Sequence, residues 1–196
     1  MPAKRRPAGP LRADAQRNRQ RVLEVAQEVF AAEGLAVPID EIARRAGLGV
    51  GTVYRHFPTK EALFTAIVED KLVRIIEHAA SLATAPRPGP AFFAVLDRMV
   101  AESARKKDLS DALAGVGVDV RSAAASTRGQ LRTALDTLLR RAQAAGAVRG
   151  GLDVDDVLAL LGATLAAASR AGVAAPRLFA VVRDGLAAVA PRPSAK

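Results

Sequence analysis

Residues 38–57, PIDEIARRAGLGVGTVYRHF, constrain the fold more than any other stretch of the chain. Pro38 opens a short helical segment, Ile39 to Ala46, and Gly47 stops it. A second, Val50 to His56, follows Gly49 and is closed by Pro58. Two short helices that meet at an angle need a small residue where they cross and a glycine in the turn. They also need a branched apolar residue on the inner side of the second helix. Ala43, Gly47 and Val53 stand at those places, and Ile42, Ala46 and Leu48 complete the buried side. The pattern is that of a helix-turn-helix.

With Val53 turned inward, the outer side of the second helix is Val50, Gly51, Thr52, Tyr54 and Arg55. The one tyrosine of the chain and one of its two histidines, His56, lie here. In a helix-turn-helix the N-terminal residues of the second helix meet base edges in the major groove. Val50 and Gly51 are small enough for close approach, and the hydroxyls of Thr52 and Tyr54 can donate to phosphates. Arg55 and His56 suit phosphate contact. Lys60 adds charge at the first turn of the next helix, where backbone N–H groups already favour an anion. Phe57 reads as a core aromatic, and His56 serves equally well as a packing or capping residue. Thr59 is a good N-cap for the helix that follows.

The stretch Asn18 to Lys71 resembles the DNA-binding domain of the TetR/AcrR family of bacterial regulators. The glycine turn, the tyrosine, the His56-Phe57 pair and Lys60-Glu61-Ala62-Leu63 all occur at the family spacing. The resemblance implies DNA contacts at Arg44, Val50, Gly51, Thr52, Tyr54, His56 and Lys60, with Arg45 a further candidate. One departure is Val37-Pro38, where members often carry a capping Ser or Thr. Proline suits the first position of a helix but donates nothing.

Elsewhere the periodicity is helical, and no segment alternates with period two. Half the residues are hydrophobic and only 4% aromatic, a mixture that favours helix-on-helix packing. The expected fold is all-α: a three-helix DNA-binding domain over 12–60 and a larger helical bundle over 61–190. Residues 1–11 read as a flexible basic arm, with Lys4, Arg5 and Arg6 able to reach a minor groove or phosphates. Residues 191–196 read as a tail. Val22, Ala26, Val29 and Phe30 form one face of a first helix that starts near Ala13 and ends at Gly34. Further helices are predicted over 91–106, 109–116, 123–145, 154–171 and 176–189.

The resemblance also implies that the larger domain binds an effector and forms a homodimer. One helix-turn-helix reads only a few base pairs, so two half-sites are needed for useful discrimination. Leu158, Leu161, Gly162, Leu165, Ala166, Phe179 and Val182 are the expected interface; an internal core is the other reading of the same residues. The effector candidates are Phe92, Phe93, Leu96, Met99, Leu113, Val116, Arg121, Leu135 and Leu138, a stripe equally suited to core. Mostly apolar, it would suit a small hydrophobic molecule. The resemblance implies a ligand-released repressor of a palindromic operator. The alternatives are a regulator with no effector, or a helical module for a protein or membrane surface.

The formal charge is +9, and residues 1–21 hold seven basic residues against one acid. Such an excess at one end suits a polyanionic partner. No apolar run reaches the roughly 18–20 residues of a membrane span, and a cytoplasmic location is expected. With no cysteine, two histidines and no phosphate loop or HExxH, no catalytic constellation assembles and no cofactor is expected. Asp153, Asp155 and Asp156 read as an acidic first turn rather than a metal site.

Overall fold

The computed structural model describes residues 10–104 and 125–188. The described residues form eight α-helices: α1 Pro10–Glu33, α2 Ile39–Ala46, α3 Val50–His56, α4 Lys60–Leu82, α5 Pro88–Ala104, α6 Ala125–Ala144, α7 Val154–Ala171 and α8 Ala175–Leu186. The expected basic arm, the helix over 109–116 and the tail lie outside them. The described residues divide into two compact units, 10–68 and 69–104 with 125–188. The division falls inside α4, after Val68, rather than at residue 60.

The first unit is built around Phe30 of α1 and Phe64 of α4, whose ring centroids lie 4.8 Å apart. Val22, Leu23 and Ala26 of α1, Ile42 and Ala43 of α2, and Val53 of α3 are fully buried with them. Burying each large apolar side chain contributes roughly 1.5–3 kcal/mol, which is what holds two helices as short as α2 and α3 in place. α1 ends at Gly34, whose N–H donates to the Phe30 carbonyl at 3.1 Å with φ +79°.

The second unit packs α5 against α6 and α8, with α7 beside them. Phe92, Val95 and Leu96 of α5 meet Leu135, Leu138 and Leu139 of α6 in one core. Arg141 of α6 donates to the Ala83 and Ala85 carbonyls, the latter at 3.0 Å, and so covers the end of α4. Asp153 caps α7, its side chain accepting from the Asp155 and Asp156 N–H groups, while the Asp156 carboxylate accepts from the Asp153 N–H. The acidic cluster is thus a helix cap, with Asp155 also held by Arg132 at 2.8 Å.

Three helix ends differ from the sequence expectation by three residues. α1 begins at Pro10, three residues early, because proline is suited to a first turn whose N–H groups have no partner anyway. α5 begins at Pro88 for the same reason, so Pro88-Gly89-Pro90 forms its first turn. α8 ends at Leu186, because Ala187 forms a single antiparallel bridge with Val148.

Gly89 permits the close approach at the start of α5: a Cβ there would lie 2.5 Å from the Ala147 Cβ. Gly47, at φ +69°, occupies the left-handed region that a Cβ disfavours. Gly47→Ala is expected to lose about 1–2 kcal/mol and Gly89→Ala about 1–3 kcal/mol. Gly51→Ala, with open space around it inside α3, is expected to gain up to about 1 kcal/mol. Urea midpoints of the three variants check the order.

Candidate nucleic-acid interface

The joint between α2 and α3 sets which side of α3 faces out. Gly47 turns left-handed, its N–H donates to the Arg44 carbonyl at 3.1 Å, and the Leu48 N–H reaches back to the Ala43 carbonyl at 3.0 Å. This is a Schellman-type ending, and it folds Leu48 against the core. Gly49 then starts α3, its carbonyl accepting from Thr52 at 2.9 Å and Val53 at 3.3 Å. Phe57 closes the helix, donating to the Val53 carbonyl at 2.8 Å and burying its own ring, as expected of a core aromatic. The Thr59 hydroxyl accepts from the Ala62 N–H at 3.1 Å and caps α4.

Val53 is the one fully buried side chain of α3, and Thr52 and His56 are half-buried. Val50, Gly51, Tyr54 and Arg55 are exposed. Five large apolar side chains stay exposed among the described residues, and two of them, Val50 and Tyr54, lie on this seven-residue helix. A face that could have been polar is instead left apolar and accessible.

The first turn of α2 has no side-chain cap. Pro38 occupies the N-cap itself rather than the first helical position, and Asp40 and Glu41 supply the negative charge that the turn favours. Glu41 accepts from both Nε and a terminal nitrogen of Arg44 at 2.7 Å, and from Arg45 Nε at 2.6 Å. Arg45 continues to Glu33 at the end of α1, at 3.0 Å. Hydrogen bonds from Arg44 and Arg45 hold the Glu41 carboxyl down at about 2, and the bond from Arg45 lowers Glu33. Both guanidinium groups are raised in turn. Arg44 and Arg45 are therefore paired with carboxylates of their own unit.

The other cations are placed differently. Arg55 has no carboxylate partner among the described residues. Lys60 is half-buried with its ammonium 5.8 Å from the Phe30 ring centre, and burial lowers its pKa. A hydrogen bond to the Asp40 carboxylate raises the Tyr54 phenol. Three residues that the sequence pattern did not single out thus shape the site: Glu33, Asp40 and Arg19, whose guanidinium lies 5.5 Å above the Phe57 ring. Only Arg19 carried a signal, as one of the seven basic residues over 1–21.

In the second unit, Phe92, Phe93, Leu96, Leu135 and Leu138 are buried in the common core, with Met99 packed against it. Leu113, Val116 and Arg121 lie outside the described residues. A separate cavity of about 390 Å³ lies at the α7–α8 joint, lined by Leu165, Ala168, Gly172 and Ala175 with Ser103 and Ser169. None of the expected effector residues lines it. Of the expected interface residues, Leu161 and Phe179 are buried in the unit's own core. Leu158, Leu165 and Val182 are half-buried against that core, and Gly162 and Ala166 are exposed. Among the described residues no helix is long and apolar enough to cross a membrane.

The model of "Bacterial regulatory proteins, tetR family" matches residues 22–67, and that of "Transcriptional regulator SbtR-like, C-terminal domain" matches residues 87–188. The crystal structure of a TetR transcription regulatory protein from Mycobacterium vanbaalenii is 49% identical over 91% of this chain and 99% of that one, with a TM-score of 0.74. For a TetR transcriptional regulator from Streptomyces coelicolor the identity is 33%, the coverage 88% and 99%, and the TM-score 0.70. An HTH-type transcriptional regulator of Staphylococcus aureus is 39% identical over 69 residues, 35% of this chain. The chain spans only 37% of the length of the curated relatives it matches.

The Glu41 network has a definite pH signature. A carboxyl lowered by folding favours the folded state above its ordinary value of 4.5 and loses that contribution as pH falls toward about 2. The melting temperature is thus expected to fall between about pH 4.5 and 2, and Glu41→Gln to make that fall shallower. Glu33, Glu61 and Asp155, also lowered, keep it from vanishing. Thermal unfolding across that range checks both.

Proposed function

The chain belongs to the TetR family of transcriptional regulators, and on that premise we propose that it binds a palindromic DNA operator as a homodimer and is released by a small hydrophobic effector. The observation that carries this reading is the outer face of α3. Val50 and Tyr54 stay exposed there, with Thr52 and Arg55 beside them. Val50 can touch a thymine methyl, and Gly51 lets the backbone approach closely. Thr52, Tyr54, Arg55, His56 and Lys60 hold phosphates, which fix register without reading sequence. Arg44 and Arg45 join them by exchanging a carboxylate for a phosphate; their ion pairs are exposed and cheap to replace.

The homodimer reading is supported by α7 and α8. Their outer sides carry Gly162, Ala163, Ala166 and Ala180, small enough for close helix approach, beside exposed Leu160 and Val181. Leu158, Leu165 and Val182 would contribute from their half-exposed edges. The effector would enter the second unit among the apolar side chains of α5 and α6. Coupling would run through α4, which begins at Lys60 in the first unit and continues to Leu82 in the second. The effector must prefer the state that binds DNA poorly, and it shifts the balance by no more than that preference. Repression in the cytoplasm, by occupying a promoter, is the mode proposed.

A gel-shift titration of DNA from upstream of the gene tests this. Tyr54→Ala is expected to weaken binding at least about tenfold with an unchanged melting temperature. A Tyr54→Ala chain that is unfolded assigns the ring to the core instead. Salt-labile, sequence-blind binding by the wild-type chain defeats the specific reading.

A further inference from the structure

The cations around α3 fall into two groups. Arg44 and Arg45 are matched by Glu33 and Glu41, as described above. Arg19 and Arg21, both on α1, have no carboxylate partner among the described residues, and both reach α3 from outside the helix-turn-helix. A terminal nitrogen of Arg21 lies 3.9 Å from the point that a Cβ on Gly47 would occupy, at the turn that opens α3. The Arg19 guanidinium lies over Phe57, which closes α3. Two positions apart on α1, they stand at opposite ends of α3, Arg21 by Gly47 and Arg19 by Phe57.

Both are open to an anion, and Arg19 is also held in place. The Phe57 ring is buried and fixed, and a guanidinium stacked within about 6 Å of a ring gives up rotamer freedom while its edge N–H donors remain open. Arg21 is exposed beside a glycine, so no side chain of the turn shields it.

We propose that Arg19 and Arg21 of α1 are phosphate-binding residues that hold the DNA backbone at the two ends of α3. This role rests on α3 being the helix that enters DNA. It makes α1 part of the docking surface as well as of the core, since Val22 and Leu23, the next two residues, are buried in that core.

Binding of the full chain is measured against salt on two duplexes, the upstream operator fragment and a scrambled duplex of equal length. Arg19→Gln and Arg21→Gln are each expected to weaken binding roughly tenfold on both duplexes and to lower the slope of log K against log salt by about 0.9. Arg19→Lys should recover the slope, because it keeps the charge. Arg140→Gln, which removes a charge from α6 in the second unit, should change neither. Wild-type slopes in both glutamine variants overturn the proposal, as does a loss confined to the operator. Should Arg19→Gln fail to fold, Arg21→Gln and Arg19→Lys decide the question by the same slopes. A wild-type chain that binds neither duplex refutes the regulator reading itself, which is a different result from a wild-type chain that binds while the variants match it.

Discussion

The left-handed turn at Gly47 is the constraint on which the rest depends. With the Leu48 N–H bonded to the Ala43 carbonyl, α2 and α3 can leave the turn at only one angle. That angle places Val53 inside, against Ile42 and Phe30, and therefore leaves Val50 and Tyr54 outside. Neither short helix has a core of its own. Both borrow it from α1 and the first turns of α4, so the exposed face of α3 is as well fixed as the buried one.

Charge is arranged around that face in two tiers. Glu33 and Glu41 bind Arg44 and Arg45 to one another and join the end of α1 to α2. Such exposed pairs add little stability, but they keep two cations from repelling each other near a site already rich in positive charge. Among the described residues Arg55, Arg19 and Arg21 are left without carboxylates, and Lys60 is pressed against Phe30. On the proposed reading, a polyanion arriving here would meet cations that need give up no partner, and then a second pair that can exchange one anion for another.

The helix-turn-helix was legible in the sequence because its boundaries are chemical. Pro38, Gly47, Gly49 and Pro58 punctuate α2 and α3, and both helices run from Ile39 to Ala46 and from Val50 to His56 as their spacing predicts. The core side chains Ala43, Val53 and Phe57 were legible for the same reason. Helix ends without punctuation were not: α8 stops where Ala187 meets Val148, a pairing across distant residues that no local pattern encodes. The same holds for Arg45, twelve residues from Glu33. In the second unit an apolar stripe such as Phe92, Leu96, Leu135 and Leu138 looks alike whether it lines a pocket or fills a core, and here those side chains are buried together.

The central claim is that α3 enters the major groove of a specific, two-fold site. Hydroxyl-radical footprinting of the full chain on its upstream DNA tests it most directly. Two protected patches related by a dyad, with centres separated by one helical turn of about 10 base pairs or a multiple of it, are the predicted result. Even, unpatterned protection along the fragment would contradict it.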